Sequence, residues 1–232
     1  MIFRQLFDTA TWTYTYLLAD PETREAVLID SVREKADRDI KVIEELGLNL
    51  LYTLETHVHA DHITGASALR EHFSSKSVVS ARAGAACADV QADDGDLITF
   101  GSYTVEIRAT PGHTAGCLTF VVRDGEEVYA FTGDAIFVRG CGRTDFQQGD
   151  ANTLYRSVHE KIFTLPEHTR IYPGHDYRGH SATTVAEEKQ HNPRLNLGVS
   201  EESFVEIMSS LNLANPRLID VAVPANMVCG RA

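Results

Sequence analysis

The six residues His57-Val58-His59-Ala60-Asp61-His62 place four side chains of metal-ligand type in one short stretch, between the apolar run Leu50 to Leu54 and a helical pattern beginning near Ile63. Side chains two apart on an extended chain point the same way, so His57 and His59 can converge on one point, while Asp61 and His62 fall where the chain turns towards a helix. The same grammar recurs at Pro111-Gly112-His113-Thr114, Thr132-Gly133-Asp134 and Tyr172-Pro173-Gly174-His175, each with a glycine before a potential ligand at an expected strand end. Glycine permits the tight backbone geometry of such a turn. A fold that uses these residues together must bring four strand ends to one place. Neutral imidazole and carboxylate suit zinc or iron, and ligands delivered from several strand ends leave positions open for substrate. His72, His159, His168, His180 and His191 lie outside this grammar and are read as ordinary hydrogen-bonded or surface histidines.

The intervening sequence predicts the elements that could do this. Thr15 to Leu18, Ala26 to Ile29, Leu50 to Leu54, Lys76 to Val79, Tyr103 to Arg108, Cys117 to Val122, Val128 to Thr132 and Arg170 to Tyr172 read as short strands. Ala36, Ile40, Ile43 and Leu46 recur at helical spacing, as do Ala66, Leu69 and Phe73, and Leu154, Val158 and Ile162. Gly47 is expected to end the first helix and Asp150 to cap the third. Strand-rich stretches punctuated by amphipathic helices favour a layered α/β architecture with two central sheets and helices outside. With no internal repeat or linker, one domain over residues 1–232 is expected.

The formal net charge of -12 speaks against broad contact with nucleic acid or an anionic membrane, either of which needs a basic surface. No segment is long and apolar enough to cross a bilayer. Cys87, Cys117, Cys141 and Cys229 are scattered and contain no C-x-x-C pair, so neither a disulfide framework nor a zinc ribbon is expected. A reducing cytoplasm of bacterial type fits best, and a mature organellar form would read the same way. A homodimer is the default expectation for a soluble protein.

The H-x-H-x-D-H run together with His113, Asp134 and His175 resembles the metallo-β-lactamase superfamily, which implies a four-layer αββα sandwich. The superfamily pattern implies one metal position at His57, His59 and His113, another at Asp61, His62 and His175, and Asp134 bridging. Three longer stretches are similar to the persulfide dioxygenases: Gly133 to Gly149, Tyr172 to Gly179, and Glu187 to Leu195 with its Asn192-Pro193-Arg194 turn. That resemblance implies one iron(II) per chain held by His57, His113 and Asp134, with His59, Asp61, His62 and His175 surrounding the ligands. It further implies oxidation of glutathione persulfide by O2 to sulfite and glutathione, a step in sulfide removal that a sulfurtransferase would supply or draw upon. Residues 176–232 would then be a short C-terminal extension particular to the family. Zinc, or a dinuclear site, is the alternative loading that the same ligand types allow.

Glutathione carries carboxylates, which the planar fork of arginine matches with two hydrogen bonds. Arg143 and Arg194 are the leading candidates, and Tyr177 is placed to donate its hydroxyl and to take part in catalysis; the plain alternative for each arginine is a solvated surface charge. Similarity to the family's substrate pocket adds Cys141, Asn226 and Cys229. The rival reading is a hydroxyacylglutathione hydrolase, which would use two metals to activate water on a thioester. The short stretch after His175 speaks against it, because that class is expected to carry a longer helical extension.

Overall fold

The structure, a computed structural model, describes residues 1–231. The N-terminal sheet contains β1 (Ile2–Asp8), β2 (Thr13–Ala19), β3 (Glu25–Ile29), β4 (Asn49–Leu54), β5 (Lys76–Ser80) and β6 (Val90–Ala92), side by side in that order. The first three strands pair antiparallel, as hairpins do, and β3 to β6 run parallel. The parallel pairs need crossovers: α1 (Ala36–Glu45) joins β3 to β4, α2 (Ala66–Phe73) joins β4 to β5, and residues 81–89 carry the chain from β5 to β6 without an α-helix. The second sheet contains β7 (Leu97–Phe100), β8 (Tyr103–Ala109), β9 (Leu118–Asp124), β10 (Glu127–Gly133), β11 (Arg170–Pro173) and β12 (Thr183–Thr184), again in chain order across the sheet. Its one parallel pair, β10 with β11, is spanned by α3 (Ala151–Ser157) and a π-helical turn over Val158–Ile162.

Every residue of β2 is buried, which requires cover on both faces of the sheet. Tyr14, Tyr16 and Leu18 point inward against Phe120, Phe131 and Tyr172 of the second sheet. Leu17 and Ala19 point outward, where Leu28 and Leu50 join Ile43 of α1 and Leu69 of α2. The far face of the second sheet carries Val121, Ala130 and Ile171 beneath Leu154, Val158 and Ile162, with Phe204 of α5 (Glu201–Ser209) closing the layer. The result is an αββα sandwich. The remaining helices, α4 (Val185–His191) and α6 (Ile219–Asn226), flank the ends of the sheets. Among the described residues no helix is long and apolar enough to cross a membrane.

The expected caps form. Gly47 turns out of α1 at φ +63°, and the Asp150 carboxylate accepts from Thr153 N at 2.7 Å. The cysteines require a correction: Cys87 and Cys229 are joined as a disulfide, and only Cys117 and Cys141 are free. Spacing rules detect cysteines that are close along the chain, and this pair is 142 residues apart, so only tertiary folding brings it together.

The two sheets are also tied at their edges through Asp20. Its carboxylate accepts from Ser102 N and Ser102 Oγ at 2.7 Å each, and from Glu22 N at 2.7 Å. These bonds, those from Ser102 foremost, hold Asp20 far below the usual carboxylate range. A carboxyl depressed in the folded state stabilises fully above its unfolded value and less as pH falls through the folded one. Asp20→Asn is therefore expected to flatten the acid side of the stability profile below about pH 4. Urea midpoints measured from pH 6 to pH 2 would show it, and an unchanged acid slope would remove Asp20 from that role.

Candidate metal centre

The site is assembled from the ends of β3, β4, β10 and β11. Just after β3, Asp30 adopts φ +52° and turns a buried carboxylate back towards the segment that leaves β4. Its Oδ1 accepts from Thr56 N at 2.7 Å and its Oδ2 from Thr56 Oγ1 at 2.8 Å. The hydroxyl proton of Thr56 is thus used, so Thr56 Oγ1 accepts from His57 Nδ1–H at 3.0 Å. That fixes the tautomer and leaves the His57 Nε2 lone pair for a metal. Burial, and then the neighbouring His59, push His57 well below the ordinary histidine range and keep it neutral.

His113 is oriented by another route. Its Nδ1–H donates to the carbonyl of Arg143 at 2.7 Å, which frees Nε2, and Nε2 lies 3.5 Å from Asp134 Oδ2. Asp134 follows Gly133, whose φ of +50° and contact with Thr56 leave no room for a side chain: a Cβ there would lie 2.5 Å from Thr56 Oγ1. The other Asp134 oxygen accepts from His175 Nδ1–H at 2.7 Å. Burial opposes its charge, but His175 and then His113 hold it far below the carboxylate range. The ligand atoms of His57, His113 and Asp134 lie within 4.8 Å of one another. Two imidazoles and an ionised carboxylate, each oriented by a second hydrogen bond, fit a divalent metal.

His59, Asp61, His62 and His175 form a second cluster. His59 stands between the two groups: its Nε2 lies 3.2 Å from Asp30 Oδ1, and its ring centroid is 4.0 Å from that of His57 and 4.2 Å from that of His62. Asp61 Oδ2 lies 3.1 Å from His62 Nδ1, 3.0 Å from His175 Nε2 and 3.3 Å from Thr13 Oγ1. His175 therefore donates from both ring nitrogens to carboxylates. Burial disfavours its charge, yet Asp134 and Asp61 raise it well above the ordinary range. Buried Glu55, 3.6 Å from His59, is pushed up to about 8 by burial. Within this cluster His59 Nδ1 and His62 Nε2 are buried without a hydrogen-bond partner.

Both groups border an open cleft of about 490 Å³, lined by His57, His113, Asp134, Phe137, Tyr177 and Arg194 among others. Tyr177 is 60% exposed and its ring is parallel to that of His175. Arg143 also borders the cleft, but its guanidinium is already bidentate to Asp145 and donates to the Ala214 carbonyl. Among the described residues Arg194 has no carboxylate partner; its Nη1 lies 3.9 Å from Cys141 Sγ. Cys141 is buried against Met208, and burial pushes its thiol up to about 11, so it is not a ready nucleophile. Asn226 and Cys229 are not in the cleft lining. Asn226 faces the back of the metal loop, donating to the carbonyls of His59 and His62 and accepting from Thr64 N. The substrate-contact expectation for these two is corrected accordingly, since Asn226 has its amide occupied by backbone and Cys229 its sulfur by Cys87.

Asp30, Thr56 and Thr13 were missed by sequence reasoning. Asp30 followed by Ser31 after a strand reads as a turn, and nothing local signals that its partner is 26 residues on.

Residues 13–175 match the family model of the metallo-beta-lactamase superfamily. The chain is 57% identical to the mitochondrial persulfide dioxygenase ETHE1 of Homo sapiens over 230 residues, 99% of this chain and 89% of that protein. The crystal structure of ETHE1 from Myxococcus xanthus superposes with a TM-score of 0.96 at 52% identity, with both chains covered completely. Hydroxyacylglutathione hydrolase GloC of Haemophilus influenzae is 36% identical over 201 residues, 78% of this chain and 91% of that one. That alignment accounts for most of GloC, so a long C-terminal extension does not mark every hydrolase of its class; the gap in identity separates the two readings instead.

Thr56→Val keeps the shape of the side chain and removes the acceptor of His57 Nδ1–H. Metal affinity, measured by competition with a chelator, should fall by about tenfold or more. An unchanged affinity would show that Thr56 does not set the His57 tautomer.

Proposed function

This chain belongs to the metallo-beta-lactamase superfamily and, within it, to the persulfide dioxygenases, and from that membership we propose that it oxidises glutathione persulfide with O2 at one iron(II), yielding sulfite and glutathione. The observation that carries the reading is the two-imidazole, one-carboxylate group at the floor of a cleft with an uncommitted arginine in its wall. Such a set on one face of a metal is typical of non-haem iron oxygenases. When bound, iron(II) supplies the one-electron chemistry that lets dioxygen react with a spin-paired sulfur compound. The overall change balances: the sulfane sulfur gives up four electrons, dioxygen accepts four, water provides the third oxygen of sulfite, and two protons are released.

The chain's own residues handle the rest. Arg194 pairs with a glutathione carboxylate and fixes how far the persulfide reaches into the cleft. Arg143, bound to Asp145 and to the carbonyls of residues 213 and 214, shapes the wall beside it. Tyr177 offers its hydroxyl from the rim. Asp61, partly open to the cleft and 3.0 Å from His175 Nε2, holds the His175 ring in place. The substrate is the product of sulfur-transfer chemistry onto the glutathione thiol, the class of reaction that must precede this one.

A two-metal reading draws support from the unpartnered His59 Nδ1 and His62 Nε2. Against it, both ring nitrogens of His175 already have carboxylate partners, Asp134 and Asp61, within the protein. Iron(II)-loaded protein should carry one metal per chain by elemental analysis and consume one O2 per sulfite formed from glutathione persulfide. Two metals with thioester hydrolysis and no oxygen uptake would establish the hydrolase. Arg194→Ala should retain its metal and raise KM for the persulfide by about tenfold, the scale of a charge-assisted pair; an unaltered KM places the carboxylate elsewhere.

A further inference from the structure

The Cys87–Cys229 disulfide lies behind the metal loop, at the end of the helix that clamps it. Asn226 closes α6 and is 5% exposed. Its amide nitrogen donates to His59 O at 2.9 Å and His62 O at 2.8 Å, and its oxygen accepts from Thr64 N at 2.8 Å. One side chain thus holds both ends of the turn that carries His59, Asp61 and His62. Three residues on, Cys229 adopts φ +57°, a region costly for a residue with a side chain, and Gly230 packs so closely that a Cβ would lie 2.6 Å from Thr64 O. Helix α6 begins from the exposed Leu218. The covalent tie to Cys87 on the loop after β5 therefore fixes a segment held otherwise by few apolar contacts, the buried cluster here being only Ile63, Ala222 and Ala225.

We propose that the Cys87–Cys229 disulfide is a thiol-opened latch on the metal loop: closed, it keeps Asn226 seated and the metal held; open, it lets α6 and the loop loosen and the metal exchange. Cys229 is buried and Cys87 only half-buried, so an incoming thiolate reaches the Cys87 sulfur. Attack there by a low-molecular-weight thiolate forms a mixed disulfide with Cys87 and expels the Cys229 thiolate. A second thiolate attacks the small-molecule sulfur of that mixed disulfide and leaves the Cys87 thiolate, the thiol pair having been oxidised to its disulfide and the protein disulfide reduced. The inference requires a metal at the loop and is independent of which substrate is oxidised.

The test uses full-length protein purified without reductant, loaded anaerobically with iron(II), and mixed with a coloured iron(II) chelator. Release should be about tenfold faster after treatment with glutathione or with a non-thiol phosphine reductant, the scale expected when support around the ligands is lost. Cys87→Ser should release fast with or without reductant, and reoxidised wild type should return to the slow rate. Should Cys87→Ser fold poorly, hydrogen exchange of amides 57–66 in the wild type, before and after reduction, carries the same test. Equal release rates and unchanged exchange would overturn the latch. So would four titratable thiols in untreated, denatured protein.

Discussion

A carboxylate sealed from water at the end of β3 has to find hydrogen-bond donors, and Asp30 finds them in the segment leaving β4. Because it takes the backbone N–H and the hydroxyl proton of Thr56, the threonine oxygen becomes an acceptor for His57. Because His57 donates there, its other nitrogen is free for a metal. His59, two residues on, is drawn by the same carboxylate in another direction. One buried carboxyl group thereby orients both histidines of the H-x-H pair. Gly133 completes the arrangement by letting β10 approach Thr56 so closely that Asp134 comes up beside His113.

The sandwich supplies the rigidity this requires. Between the sheets Phe120, Phe131, Tyr16 and Tyr172 fill the core, with ring centroids of Tyr16 and Phe131 4.9 Å apart. The carbonyl of Pro173 accepts from Tyr16 OH at 2.6 Å, so the strand end that delivers His175 is tied directly to the middle of β2. Tyr14 N donates to Gly174 O nearby, and Thr13, the first residue of β2, enters the His175 and Asp61 cluster. Packing between the sheets is thus what places the second sheet's ligands against those of the first.

Much of this was legible in the sequence because it is written in local patterns. Strand runs such as Ala26 to Ile29 lie within observed strands, the period of Ala36, Ile40 and Ile43 marks α1, and Asp150 caps α3. What was not legible depends on distance in the chain. β6 and β12 are too short to show a period, and α6 has Pro224 within it, which reads as a breaker. Asp30 looked like punctuation, and the disulfide joined two loops that no spacing rule connects. In the candidate site, the residue types were visible but the hydrogen bonds that give each its protonation state were not.

That last distinction bears on chemistry. Seven ligand-type side chains are common ground for hydrolases and for persulfide dioxygenases, so the signature alone does not divide them. What the structure adds is the partner of each side chain. His57 and His113 each turn Nδ1 to an uncharged oxygen, which aims Nε2 of each at the shared ligand position. His175 donates from both nitrogens to carboxylates and carries a positive charge between Asp134 and Asp61. A buried imidazolium at that point balances the carboxylates on either side of it from within the protein, and that balance rests on the partners of a single imidazole rather than on which residues are present.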